Sequence, residues 1–270
     1  MTPCRQPFAD YCKIDAVNWS TLREATKSAL HYQHGLHVQR PETDAMRLGR
    51  ATHTAVFEPE CLEDEYAVWD GGMRRGKDWE AFKDAHKKRT ILKEDEYERA
   101  LAIRDAVRSS PQSAPLLHSG IPECTIEWTD KATGLPCKAR LDWLSEKALV
   151  DLKTTRDIEA RAFGRHVGTM LYHCQFAFAS MGLRANGLKR KVKIIAVEQD
   201  PPHDVAVYEL SEDVLWAGEV KVRQALNTVA SCRRTKRWTG RYPDECSLVL
   251  PSWEFPSEDE QDALIKAVSE

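Results

Sequence analysis

Two short runs joined by a polar turn constrain this chain more than any other feature. The first is Lys138-Ala139-Arg140-Leu141-Asp142-Trp143-Leu144, the turn is Ser145-Glu146-Lys147, and the second is Leu149-Val150-Asp151-Leu152-Lys153-Thr154-Thr155. Both runs read as strands, because apolar and polar residues alternate and the segment between them favours a turn. Side chains on a strand alternate faces, so Val150 and Leu152 point one way and Asp151 and Lys153 the other. Asp151 and Lys153 then stand roughly 6 to 7 Å apart, and a neighbouring strand about 5 Å away lets Asp142 join them. Two carboxylates and an ammonium converge at the end of a hairpin.

Mg²⁺ prefers hard oxygen ligands and is commonly held by one or two carboxylates together with phosphate. A lysine beside such an ion can orient or deprotonate an attacking water and offset developing charge. An isolated Asp-x-Lys fits a surface ion pair equally well, so the flanking residues decide. Before the hairpin, Glu123 to Trp128 alternates as a strand, with Glu123 and, two and two further on, Glu127 as candidate acids on one face. Thr43 to Phe57 reads as a helix that carries Leu48-Gly49-Arg50-Ala51-Thr52-His53 and stops at Pro59. After the hairpin, 157–181 reads as one long helix with a wide apolar face, on which Tyr172 and Gln175 lie a turn apart.

The remaining pattern is α/β. Helices are expected over 19–34 with Ser20 as cap, over 94–109, and from a Ser211 cap to about Val229. Lys191–Glu198 and Asp204–Leu210 read as further strands of the central sheet. Residues 70–92 are polar and basic, either a flexible loop or an arm that contacts nucleic acid. Arg233-Arg234-Thr235-Lys236-Arg237-Trp238-Thr239-Gly240-Arg241-Tyr242 is the strongest basic patch; it suits a phosphate backbone, with Trp238 free to stack, or a packed edge with solvated arginines. From Pro256 on, the chain is acidic and reads as a tail without strong structure.

Hydrophobic residues make up 42% of the 270 positions, enough for a sizeable core, and no run approaches a membrane span. Residues 1–11 have no hydrophobic signal core, which points to a cytoplasmic protein. The net charge of −3 neither advertises nor excludes a nucleic-acid partner. Eight scattered cysteines contain no C-x-x-C pair, which argues against a zinc ribbon.

Asp142, then Asp151-Leu152-Lys153 nine positions on, preceded by Gly134-Leu135-Pro136-Cys137-Lys138-Ala139-Arg140, resembles the PD-(D/E)XK nuclease signature. More narrowly it resembles the phage and prophage exonuclease VIII (RecE-type) branch, relatives of lambda exonuclease and the RecB nuclease domain, over roughly residues 45–245. Family members carry Arg-Pro-Asp where this chain has Arg140-Leu141-Asp142.

The resemblance implies a restriction-endonuclease-like mixed central sheet flanked by helices. It implies one nuclease domain over 1–255, with an N-terminal helical part, followed by the acidic tail 256–270. It implies metal ligands at His53, Glu123, Asp142, Asp151 and the Leu152 carbonyl, with Lys153 and Gln175 completing the catalytic group. The family's Gln-x-x-x-Tyr motif finds Gln175 here but Ala179 at the tyrosine position; Tyr172 is a candidate substitute. Arg140, Thr154, Tyr172, Arg233, Arg234, Arg237 and Trp238 are expected to contact DNA.

The cofactor would be Mg²⁺, with Mn²⁺ able to replace it. No iron–sulfur cluster is expected, since Cys232 and Cys246 have no third cysteine near them. The activity implied is exonucleolytic hydrolysis of one strand of duplex DNA from its 5′ end. The 3′ overhang would pass to an annealing protein, and the enzyme would work as a trimeric or tetrameric ring. A non-catalytic DNA-end-binding module and a structure-specific endonuclease are the alternatives.

Overall fold

Strands that alternate apolar residues on both sides need cover on both faces, and this chain supplies it. The computed structural model describes residues 3–38 and 41–269; the outermost positions of the spans 1–255 and 256–270 (1, 2 and 270) lie outside the described residues, as do 39 and 40. The strands are β1 (Cys4–Arg5), β2 (Tyr66–Trp69), β3 (Thr90–Lys93), β4 (Ile121–Thr129), β5 (Pro136–Leu144), β6 (Ala148–Thr155), β7 (Lys191–Glu198) and β8 (Val205–Glu209). The helices are α1 (Phe8–Lys13), α2 (Trp19–Leu22), α3 (Ala29–Gly35), α4 (Asp44–Phe57), α5 (Leu62–Glu65), α6 (Lys77–Ala85), α7 (Glu94–Ser109), α8 (Ala160–Thr169), α9 (Tyr172–Ala185), α10 (Glu212–Thr235) and α11 (Glu258–Ser269). Among the described residues the central sheet runs β1-β4-β5-β6-β7-β8, antiparallel except for the parallel pair β6–β7. This is the expected α/β fold with a mixed central sheet between helices.

The two faces separate residue by residue. Leu149, Ile194 and Ala196 pack with Phe176, Phe178, Val222 and Leu226, so α9 and α10 cover one side. Val150, Leu152, Ile195 and Val197 pack with Val56, Phe57, Ile103 and Val107, so α4 and α7 cover the other. Each such buried side chain contributes about 1.5–3 kcal/mol. The alternation places Asp151 on the α9 side and its neighbours Val150 and Leu152 on the α4 side.

Several local expectations are corrected. The helix expected over 19–34 is interrupted: Asn18, not Ser20, caps α2 by accepting the Thr21 amide at 2.9 Å, and a 3-10 turn follows over Arg23–Thr26. Ser28, extended, then starts α3 by accepting the His31 amide. The long helix expected over 157–181 begins at Ala160, after a Glu159 cap, and breaks at Leu171, which adopts φ 57° and ψ 34° in the left-handed region. Residues 70–92 are more than a loop. Trp69 of β2 packs against Trp79 and Phe82 of α6 at 5.4 and 5.1 Å, a small aromatic core that the surrounding charges conceal in the sequence. The tail contains α11, which a Ser257/Glu260 capping box starts: Glu260 accepts the Ser257 amide at 2.8 Å while Ser257 Oγ accepts the Glu260 amide at 3.4 Å.

Helices α9 and α10 meet at Gly218, where a Cβ would stand 2.3 Å from the His173 carbonyl oxygen and 2.7 Å from its carbon. Gly218→Ala should therefore cost about 2 kcal/mol of stability, although alanine favours helix. Urea unfolding measures this, and an unchanged midpoint would contradict the close approach.

Candidate metal centre

The hairpin does not pair along its length. β5 and β6 are laddered only next to the turn, at Trp143↔Val150 and Leu144↔Leu149. Beyond that the strands separate, and the Leu152 amide that would continue the ladder instead donates to Asp142 Oδ2 at 3.3 Å. On the other side of β5, the register with β4 passes from Pro122↔Trp143 to Cys124↔Leu141 and omits the Glu123/Asp142 position. Glu123 sits there at φ 49°, a strained conformation for a residue with a side chain. The two acids would otherwise face each other as like-charged cross-strand neighbours.

His53 enters from α4. A Thr43 cap accepting the Met46 amide begins this helix, and Arg108 holds its far end through the Val56 carbonyl. Phe57, one turn after His53, meets the imidazole edge-on at 5.8 Å and stacks on Trp143 at 6.0 Å. His53 Nδ1 then lies 3.1 Å from Asp142 Oδ2. Ligand atoms of His53, Glu123 and Asp142 all fall within 4.8 Å of one another, each side chain partly buried. Gly49, one turn earlier, has open space where a side chain would stand and lines the cleft in front of this trio.

Asp151 stands apart from the trio. Its carboxylate is buried on the α9 side, where Oδ1 forms an ion pair with Lys153 Nζ. Gln175 Nε2 donates weakly to Oδ2 at 3.4 Å. The Lys153 ammonium faces the Tyr172 ring at 4.9 Å and the Phe176 ring at 5.9 Å. Ala179, at the position of the family tyrosine, is buried in the core with 5% exposure and cannot replace it. Arg140 binds Glu123, donates to the Gln6 carbonyl at 2.9 Å and lies over the Phe8 ring. That N-terminal cover was not legible: nothing in residues 4–13 marks them as partners of β4 and β5.

The charges explain the protonation pattern. Burial opposes the charge of Asp142, but His53, Lys153 and the Leu152 amide outweigh it and hold this carboxyl far below the usual range. Burial likewise opposes the His53 imidazolium, and Asp142 overcomes it, raising the histidine. Asp151 goes the other way: burial, then the like charge of Asp142, push it up to about 7 despite Lys153. Glu123 is raised by burial and by Asp142, against Arg140. Two carboxyls raised by burial and by the like charge of Asp142, beside a compact imidazole–carboxylate set, together fit a divalent cation.

The other expected contacts are distributed. Thr154 is half-buried on β6, opposite Val197. Glu127 faces Lys138 in the ladder and stays outside the trio. Arg233 and Arg234 lie in the last turn of α10, and Trp238 stacks on Tyr32 at 5.8 Å, so its ring is engaged in packing. Two clefts reach the centre: one of about 220 Å³ bordered by Asp151, Tyr172, Gln175 and Arg23, and one of about 1060 Å³ bordered by His53, Glu123, Arg50 and Lys88. Arg140 lines both, and none of Arg233, Arg234, Arg237 and Trp238 lines either.

Asp142 on β5 and Asp151-Leu152-Lys153 on β6, the residues that carry the resemblance to the PD-(D/E)XK signature, thus lie on adjacent strands of a mixed sheet. The chain belongs to the family described as a PDDEXK-like domain of unknown function (DUF3799), whose sequence profile matches residues 18–249. The structure is also similar to that of a presumed exonuclease from Eubacterium rectale, with a TM-score of 0.55, 14% identity, and coverage of 82% of this chain and 85% of that one. At that identity the similarity speaks to the fold. No curated protein matches the chain. Among the described residues, no helix is long and apolar enough to cross a membrane.

Asp142 and Asp151 should respond oppositely to loss of charge in the metal-free protein. A carboxyl raised in the folded state binds more protons than the unfolded chain between the two pKa values, so its contribution to stability falls as pH rises from about 4 to about 7. Asp151→Asn should therefore raise the melting temperature at pH 8, with the gain shrinking toward pH 5. Asp142 is depressed, so its contribution is present above the unfolded pKa and lost only as pH falls through the folded one; Asp142→Asn should destabilise at pH 8. Melting curves at both pH values check this, and shifts of the same sign at pH 8 would contradict the assignment.

Proposed function

We propose that this protein is a Mg²⁺-dependent deoxyribonuclease that degrades one strand of duplex DNA from a free end. The observation that carries the reading is the His53–Glu123–Asp142 trio beside the Asp151–Lys153 ion pair, with His53 and Glu123 lining one cleft and Asp151 the other. Binding alone needs no such cluster, which disfavours a non-catalytic end-binding module. The ligand set suits Mg²⁺, and the imidazole makes Mn²⁺ a good replacement.

A divalent ion held by His53, Glu123 and Asp142 would supply Lewis-acid stabilisation to a phosphodiester. The protein's own groups do the rest. Lys153 brings a cation to the reacting phosphate, where it orients the attacking water and offsets charge in the transition state. Asp151 fixes the ammonium on one side, and Gln175 restrains the Asp151 carboxylate. Arg140 lines both clefts and would hold the strand, with Thr154 of β6 as a further contact, while Arg50 and Lys88 on the larger cleft offer phosphate contacts. The reading extends, on the resemblance in the hairpin, to the phage-recombination type: digestion from the 5′ end, a 3′ overhang for an annealing protein, and a ring-shaped oligomer. Arg233, Arg234, Arg237 and Trp238 would then contact DNA outside the two clefts.

With Mg²⁺ the protein should degrade linear duplex and leave a closed circle of the same sequence intact. Lys153→Ala should reduce the rate about 100-fold or more, as loss of a positioned acid–base or charge-stabilising group does, with melting and DNA binding kept. Cleavage of the circle at the linear rate would indicate an endonuclease, and end binding without cleavage in either metal a binding module.

His53→Ala should produce a defect that depends on the metal, partly relieved in Mn²⁺. Titration of the metal-free variant measures the affinity loss directly. Unchanged affinity for both ions would place His53 outside the ligand set.

A further inference from the structure

We propose that Tyr172 and Phe176 form an aromatic clamp that positions the Lys153 ammonium, an inference that rests on the nuclease reading above. Lysine is a point charge on a long flexible stem, so a useful position must be imposed from outside. Asp151 provides one anchor. A carboxylate also neutralises the charge it holds, whereas a ring face attracts an ammonium and leaves its charge available to a phosphate.

The geometry is specific to the first turns of α9. Tyr172, Gln175 and Phe176 occupy positions i, i+3 and i+4, and all three face the Asp151–Lys153 pair. The left-handed residue Leu171, immediately before Tyr172, breaks the helix that the apolar pattern would otherwise carry through from α8. That break sets Tyr172 at the first position of a new helix. The Tyr172 ring meets His166 edge-on at 5.6 Å, and Phe176 is anchored in the core with 1% exposure. Tyr172 is thereby a positioning residue, acting through Lys153, and its ring matters more than its hydroxyl.

The test has two arms. In the metal-free protein, ¹H–¹³C spectra should show the Lys153 ε-methylene protons shifted upfield by the rings, and Tyr172→Leu should move them toward free-lysine values. Tyr172→Phe, which keeps the ring, should restore the upfield position. An unshifted Lys153 signal in the parent would overturn the clamp and leave the nuclease reading standing.

In the cleavage assay, Tyr172→Leu should lower kcat about tenfold with KM within twofold, and Tyr172→Phe should recover the loss. In a Lys153→Ala background, Tyr172→Leu should cause no further loss, because a clamp without its cation has nothing to position. An additive loss in that background, or a raised KM with kcat unchanged, would overturn the clamp in favour of direct contact with DNA. A parent that shows no Mg²⁺-dependent cleavage would overturn the nuclease reading itself.

Discussion

The bond from the Leu152 amide to the Asp142 carboxylate is the interaction on which the site depends. A backbone amide that would ordinarily continue a strand ladder is satisfied by a side chain instead, so the sheet can open without leaving a buried donor unpaired. The opening is confined by the two ladder positions next to the turn. Through it the centre draws on both layers: His53 comes from the α4 side, Asp151 with Gln175 and Lys153 from the α9 side. A fully zipped hairpin would keep those groups on opposite faces of a closed sheet.

Gathering this much negative charge is costly, and the surrounding residues show how the cost is met. Asp142 is held ionised by its histidine, while Asp151 and Glu123 are driven toward their neutral forms. A dication at this position would offset the mutual repulsion that raises them. The backbone contributes strain as well. Glu123 adopts φ 49° where the β4–β5 ladder skips the position opposite Asp142, and Arg140, itself tied to the Gln6 carbonyl, binds its carboxylate.

Much of this was legible. The period-two alternation of Leu149–Lys153 separated Asp151 from Val150 and Leu152, and the two hydrophobic clusters divide along the same line. Helix α7 occupies Glu94–Ser109, matching the span read from its apolar spacing. Other features escaped for identifiable reasons. Leu171 looks like one more core residue in an apolar stripe, and nothing in its type announces a left-handed backbone. The aromatic core of Trp69, Trp79 and Phe82 is too small to outweigh the surrounding charges in a window of sequence. Alternation put Asp151 and Lys153 on one face, and they form an ion pair there; the gathering of His53 and Glu123 around Asp142 depends on the opening of the sheet, which alternation does not show.

The central claim is that opening the β5–β6 ladder creates a site for a divalent cation. Anomalous diffraction from crystals of the protein grown with Mn²⁺ tests it most directly. The account predicts an anomalous peak bonded to His53, Glu123 and Asp142, with the Leu152 amide still directed at Asp142. A peak confined to other acidic residues, or none at saturating Mn²⁺, would contradict it.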